Sequence, residues 1–161
     1  MLSGGIGRIE PNMDKLHTGR SAGAKYHLGL SLEKLSLATA KSISINAKAI
    51  IPERLNISEI DLCVIIGNLL DNATEACLKL ENPEERFIRV YIGILKEQLY
   101  IYVSNSAGEV KRSGKTYVST KNSDTHGFGL MRVDRIAGKY GGYINRANEE
   151  GVFATEIMLP L

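Results

Sequence analysis

The chain has 161 residues, 43% of them hydrophobic, enough for one domain with a proper core. Its net charge of +2 comes without a basic run, so charge does not point to nucleic acid, although a mildly basic surface suits an anionic small ligand. No apolar run approaches the roughly 20 residues of a membrane span, and the start Met-Leu-Ser-Gly-Gly-Ile-Gly lacks a signal peptide's basic region and long apolar stretch, so a cytoplasmic location is expected, alone or as the cytoplasmic part of a membrane protein.

Residues 1–20 show no period and read as a loose lead-in, leaving 21–161 as the domain. A helix is predicted over 21–41, from Leu28, Leu32, Leu35 and Ala38 at spacings of three and four. The alternation in Ser42-Ile43-Ser44-Ile45-Asn46 predicts a strand, and Pro52 closes that region. Asn56 or Ser58 can cap the next helix, with Asp61 in its first turn.

That helix is predicted over 58–80. Its apolar stripe is Leu62, Ile65, Ile66, Leu69, Ala73, Ala76, Cys77 and Leu80. The opposite stripe is Asn68, Asn72, Glu75 and Lys79. Cys63 and Cys77 share this helix about 21 Å apart, too far to bridge, and read as small buried hydrophobes in a reducing compartment. Asn is a poor helix former, because its amide competes for backbone hydrogen bonds. A merely solvated face would more readily use Glu, Lys or Gln. Two Asn one turn apart place their amides about 6 Å from each other on one face, where they can ligate a hard cation or hold a phosphate oxygen.

Residues 86–95 and 98–104 read as a strand pair joined at Lys96-Glu97, without the glycine that such a turn prefers. From Asn105 to His126 periodicity is lost among Gly, Lys, Ser and Thr, and so long a loop in a compact domain points to a functional lid, placed at about 106–126. Asn105, where the strand gives way to that loop, is either a turn former or a ligand contact at a pocket edge. His126-Gly127-Phe128-Gly129-Leu130 then opens a helix over 128–139, ended by Gly141-Gly142. Free N–H groups at a helix start attract anions, and glycines let phosphate approach; an ordinary helix-entry turn is the plain alternative. Strands at 142–147 and 152–159 flank a turn at Asn148-Glu149-Glu150-Gly151. Helices and strands do not alternate as in parallel βαβ folds. The expected fold is α/β of the α+β kind, a two-layer sandwich with a mixed sheet covered on one face by helices.

The Asn pair, the loop and the glycine pair, in this order, resemble the GHKL ATPase superfamily over residues 40–161. Asn68-Leu-Leu-Asp-Asn72-Ala looks like its N box, Gly127-Phe128-Gly129-Leu130 like its second glycine box, and the loop before it like the ATP lid. Within that group the chain is most similar to sensor histidine kinases of the peptide-quorum-sensing type, where Asn-Ser stands in place of the usual Asp-x-Gly-x-Gly; Ser119-Thr120-Lys121 fits that subgroup as well.

The resemblance implies a Bergerat-type fold that binds ATP and Mg²⁺. It implies that Asn68 and Asn72 hold Mg²⁺ and the phosphates, and that Gly127, Gly129 and the neighbouring His126 and Leu130 form the phosphate cradle. Lys121 would neutralise phosphate charge. Asn105 would stand where the family's adenine-binding Asp sits, accepting from the adenine amine without charge assistance. Thr155 would line the adenine pocket or simply face the core.

Hydrolytic members carry a general-base Glu where this chain has Asn68, which cannot take a proton near neutral pH. The site is therefore expected to present ATP for phosphoryl transfer, which needs mainly positioning and charge neutralisation. None of His17, His27 and His126 has the family's phosphoacceptor context, so the chain is expected to be the catalytic domain without its acceptor helices. The implied partners are a His-bearing helix hairpin and a response regulator, with a membrane-bound parent and an isolated domain that is a monomer or weak dimer. An anti-sigma-type serine kinase and a nucleotide-binding module without transfer activity are the alternatives.

Overall fold

The computed structural model describes residues 33–108, 112–113, 116–117 and 123–161, with backbone alone for residues between 112 and 126. Residues 33–40 are helical (α1) and pack through Leu35 and Ala38. The predicted helix stretch 21–32 and the lead-in lie outside the described residues. Strand β1 spans Ser44–Ala49, three residues beyond the expected end. Its inward alternation continues from Ile43 and Ile45 into Ala47 and Ala49, small residues that mark a period weakly.

Helix α2 runs Glu59–Leu78. Ser58 is its cap, accepting from Asp61 N, and Glu59 and Asp61 put acidic groups in the first turn, where the helix dipole favours them. Leu62, Ile65, Ile66, Leu69, Leu70, Ala73 and Cys77 form its buried face. The polar stripe is not opposite that face, as expected, but beside it: Asn68, Asn72 and Glu75 are half-buried and only Lys79 is exposed.

After a short 3₁₀ turn at Pro83–Glu85 come β2 (Phe87–Leu95) and β3 (Gln98–Ser106). Lys96 and Glu97 connect them with φ of 50° and 59°. This two-residue left-handed turn matches the strands' twist although neither residue is glycine. Strand β3 continues through Asn105 and Ser106, so Asn105 belongs to the sheet and not to a turn. Two short paired strands, β4 (Arg112–Ser113) and β5 (Thr116–Tyr117), lie in the stretch that had no period.

Helix α3 spans Ser123–Lys139 and starts five residues before the expected 128. Strands β6 (Tyr143–Glu149) and β7 (Val152–Pro160) complete the chain, joined through Glu150-Gly151.

The five long strands order as β1-β2-β3-β7-β6. Only β1 and β2 are parallel, with α2 as the crossover between them. The buried residues of all three helices and of the strands form one cluster, so the helices cover a single face of a mixed sheet. That is the two-layer sandwich expected from the element order.

Two glycines end α3 in a way that seats it on the sheet. Gly141 takes φ of 67°, Gly141 N donates to Gly138 O, and Gly142 N donates to Ala137 O, the paired bonds of a Schellman cap. A Cβ on Gly142 would stand 2.5 Å from Leu159 Cδ2 and 2.8 Å from Met158 O, so only glycine lets the chain pass β7 there.

Candidate functional site

Asn68 and Asn72 stand one turn apart on α2, and both are half-buried. Asn68 Nδ2 donates to Val64 O at 2.7 Å, one turn back along its own helix. This leaves Oδ1 directed away from α2. A Cβ on Gly129 of α3 would stand 3.0 Å from that Oδ1, tighter than ordinary contact. The structure thus brings two of the sequence's candidate groups together, and gives Gly129 a packing role besides any ligand role. Gly127 differs: a Cβ there meets nothing within 4 Å, and the residue is exposed.

Helix α3 opens before the two glycines. Free N–H groups of a helix belong to its first turn, hence to about residues 123–125 here. Gly127 and Gly129 fall in the following turn, where ideal geometry pairs their N–H groups. The backbone of His126 lies in that helix; its side chain and all of Lys121 are outside the described residues. Leu130 is half-buried.

Beneath the helices, Asn105 is 3% and Thr155 2% exposed, among the few buried polar residues described. Asn105 pairs with Phe153 and Thr155 with Val103, so the two are diagonal neighbours on the covered face of β3 and β7. Thr155 faces the same way as Ile157 and Leu159, as the strand period predicts. Asn105 Nδ2 donates to Ser106 O at 3.0 Å, and its Oδ1 is the acceptor of the amide. Cys77 Sγ lies 3.5 Å from Ser106 Oγ, fixing the last turn of α2 over this end of β3. Asn72 is five residues earlier on α2, about 7.5 Å along its axis. The structure thus sets Asn68 against Gly129, and holds the end of α2, five residues beyond Asn72, over Ser106, the neighbour of Asn105.

Sequence reasoning missed three contacts that hold α2 in place. Lys34 Nζ of α1 bonds Asp71 Oδ1 at 2.6 Å, and its side chain passes the position of a Cβ on Gly67 at 3.6 Å. That pins α1 against α2 next to Asn68. Ser106 Oγ accepts from Phe87 N at 2.9 Å, and burial, the largest effect on it, pushes the Cys77 thiol pKa up, keeping it protonated. At the other end Tyr140 Oη accepts from Ser58 N and donates to Asp61, which also pairs with Lys139 Nζ at 2.7 Å. The Lys139 and then the Tyr140 bond hold the Asp61 carboxyl below its usual range. Lys34 and Asp71 are 37 residues apart, and Asp61 and Tyr140 79, with no local pattern linking either pair.

The donor set suits a small hard cation carried in with phosphate. Asn68 and Asn72 would hold such a cation through their neutral amide oxygens, and it would supply positive charge to the phosphates. Among the described residues no cluster of His, Cys, Asp and Glu offers an all-protein metal cage. No described helix is long and apolar enough to cross a membrane.

Comparison with known proteins identifies the family and the fold. Residues 57–160 match the family described as GHKL domain. No curated protein matches the chain. Among solved structures, the histidine kinase domain of the Erythrobacter litoralis EL346 blue-light activated histidine kinase is similar with a TM-score of 0.67 at 14% identity, over 92% of this chain and 68% of that one. The catalytic domain of histidine kinase ThkA is similar with a TM-score of 0.62 at 21% identity, over 83% and 90%. Acinetobacter baumannii histidine kinase AdeS is similar with a TM-score of 0.57 at 11% identity, over 84% and 64%. At these identities the likeness is one of fold.

Proposed function

The chain belongs to the GHKL domain family, and from that premise we propose that it is the ATP-binding catalytic domain of a sensor histidine kinase of the peptide-quorum-sensing type. It acts in the cytoplasm as part of a membrane sensor. It passes the γ-phosphate of ATP to a His on a separate helix hairpin, for onward transfer to a response regulator. The observation that carries the reading is the Asn68 amide oxygen set against Gly129 of α3, with Asn72 one turn further along α2 and Asn105 and Thr155 buried on the covered face of the sheet.

In this reading Asn68 and Asn72 would hold Mg²⁺ through their amide oxygens, and the ion would supply charge neutralisation for the phosphates of ATP. The Val64 bond pre-orients the Asn68 amide, so less ordering is left for binding. Asn105 Oδ1 accepts from the adenine amine, with Thr155 beside it. Gly127 leaves room for phosphate, and Lys121 supplies a positive charge from the loop before α3. Asn68 has no basic atom to take a proton from water, so bound ATP is held for the acceptor His and spared hydrolysis.

The test is transfer from γ-labelled ATP to supplied His-bearing helix hairpins. Acid-labile label on the hairpin is expected. Acid-stable label on a serine substrate would instead identify an anti-sigma-type kinase. Mg·ATP binding with no transfer to any hairpin would favour a nucleotide-binding module without transfer activity.

A further inference from the structure

The second face of the sheet carries no helix among the described residues, and its side chains are not those of an idle surface. Strand pairing sets its outward residues in rows. One row runs Asn46, Arg89, Ser104, Ala154, Ala147, in which Ser104 is wholly buried, and the next Lys48, Tyr91, Tyr102, Glu156, Asn145. Aromatic groups stand at its centre: the Tyr91 and Tyr100 rings are 6.0 Å apart, and Tyr100 Oη donates to Glu156 at 2.6 Å.

Charge on this face is divided. Lys48 and Arg89 lie on β1 and β2; Glu149 and Glu156 lie on β6 and β7. The acidic half also holds a groove of about 250 Å³, floored by Ala147 and Ala154 and walled by Tyr102 and the two glutamates. On the basic half Arg89 reaches over the Phe87 ring, 4.6 Å from its centroid.

We propose that this face binds a second copy of the chain, sheet against sheet, about a two-fold axis along the central strand β3. The strand order has two strands on each side of β3, so this rotation lays β2 of one copy over β7 of the other. Positions along the strands are kept. Arg89 then faces Ala154 on the groove floor, with Glu156 one row along the same strand. Phe87 faces Val152, and Tyr102 meets the Tyr102 of the second copy. Each charged half meets its opposite. The other face-to-face two-fold, with its axis across the strands, would set Lys48 and Arg89 against themselves. Such a contact is isologous, and its strands align as in a sandwich.

Strand spacing and rise make the footprint about 24 Å by 20 Å per copy, roughly 1,000 Å² over both, at the low end for specific contacts. The dimer is therefore weak and concentration-dependent. The proposal is independent of the nucleotide site.

Sedimentation equilibrium of the 161-residue chain up to about 1 mM tests it. A reversible dimer is expected. Arg89→Glu should weaken it by about tenfold or more, through like charges against Glu156. Arg89→Glu combined with Glu156→Arg should recover it. A wild-type monomer throughout, a dimer indifferent to Arg89→Glu, or no recovery in the double variant would each overturn the proposal.

Discussion

The amide oxygen of Asn68 lies 3.0 Å from where a Cβ on Gly129 would stand, whereas the same addition at Gly127 meets nothing. Two glycines separated by one residue on the same helix are thus under different constraints. Gly127→Ala should stabilise the fold by about 0.5–1 kcal/mol, because Ala loses less backbone freedom in a helix. Gly129→Ala should forfeit that gain, since the tethered Asn68 amide must give way. Denaturant melts of the two variants check this; equal shifts would contradict it.

Gly142 is the least replaceable of these positions. A Cβ there meets the Met158 carbonyl, which cannot rotate aside. Gly142→Ala is expected to cost about 1–3 kcal/mol, as overpacking does, and to lower the melting temperature accordingly. A neutral melt would show that α3 can lift off β7.

The clamp joining the start of α2 to the end of α3 has a definite pH signature. The folded-state pKa of Asp61 is depressed, first by Lys139 and then by Tyr140. Its stabilisation is therefore present above the unfolded carboxyl pKa, near 3.8, and is lost as pH falls through the lower folded value. Lys139 is raised by the same bond, so its share holds below the unfolded lysine pKa and is lost as pH rises through the higher folded value. Asp61→Asn should be less stable than the parent at pH 7, and the gap should close on acidification below about pH 4. Melts as a function of pH decide it, and a gap independent of pH would rule the clamp out.

The two thiols should separate cleanly. Cys77 is wholly buried, bonded to Phe87 O and near Ser106, and burial raises its pKa. Cys63 is half-buried on another face of α2. Ellman titration of the native chain should release one thiol early and the second only on unfolding. Early release of both would show that the end of α2 opens.

Much of this architecture was legible in the chain. The stripe from Leu62 to Cys77 repeats at helical spacing, and burial of that stripe is what the structure shows. The hairpin at Lys96-Glu97 and the stop at Gly141-Gly142 were readable for similar local reasons. The start of α3 was not. Ser123-Asp124-Thr125-His126 carries no apolar period, and the glycines that follow read as breakers although neighbouring turns hold them in the helix. For the site, the Asn pair and the buried, neighbouring Asn105 and Thr155 were visible as residue types. What holds them was not: Lys34–Asp71, Cys77–Ser106 and the Gly129 contact join distant segments, and no local spacing encodes them.

The central claim is that the Asn68–Asn72 face binds ATP through Mg²⁺. Titration of a non-hydrolysable ATP analogue, with and without Mg²⁺, on the parent and on Asn72→Ala tests it most directly. Binding to the parent should tighten with Mg²⁺, and Asn72→Ala should abolish that increment while its melt stays near the parent's. Unchanged Mg²⁺-dependent binding in Asn72→Ala would contradict the account.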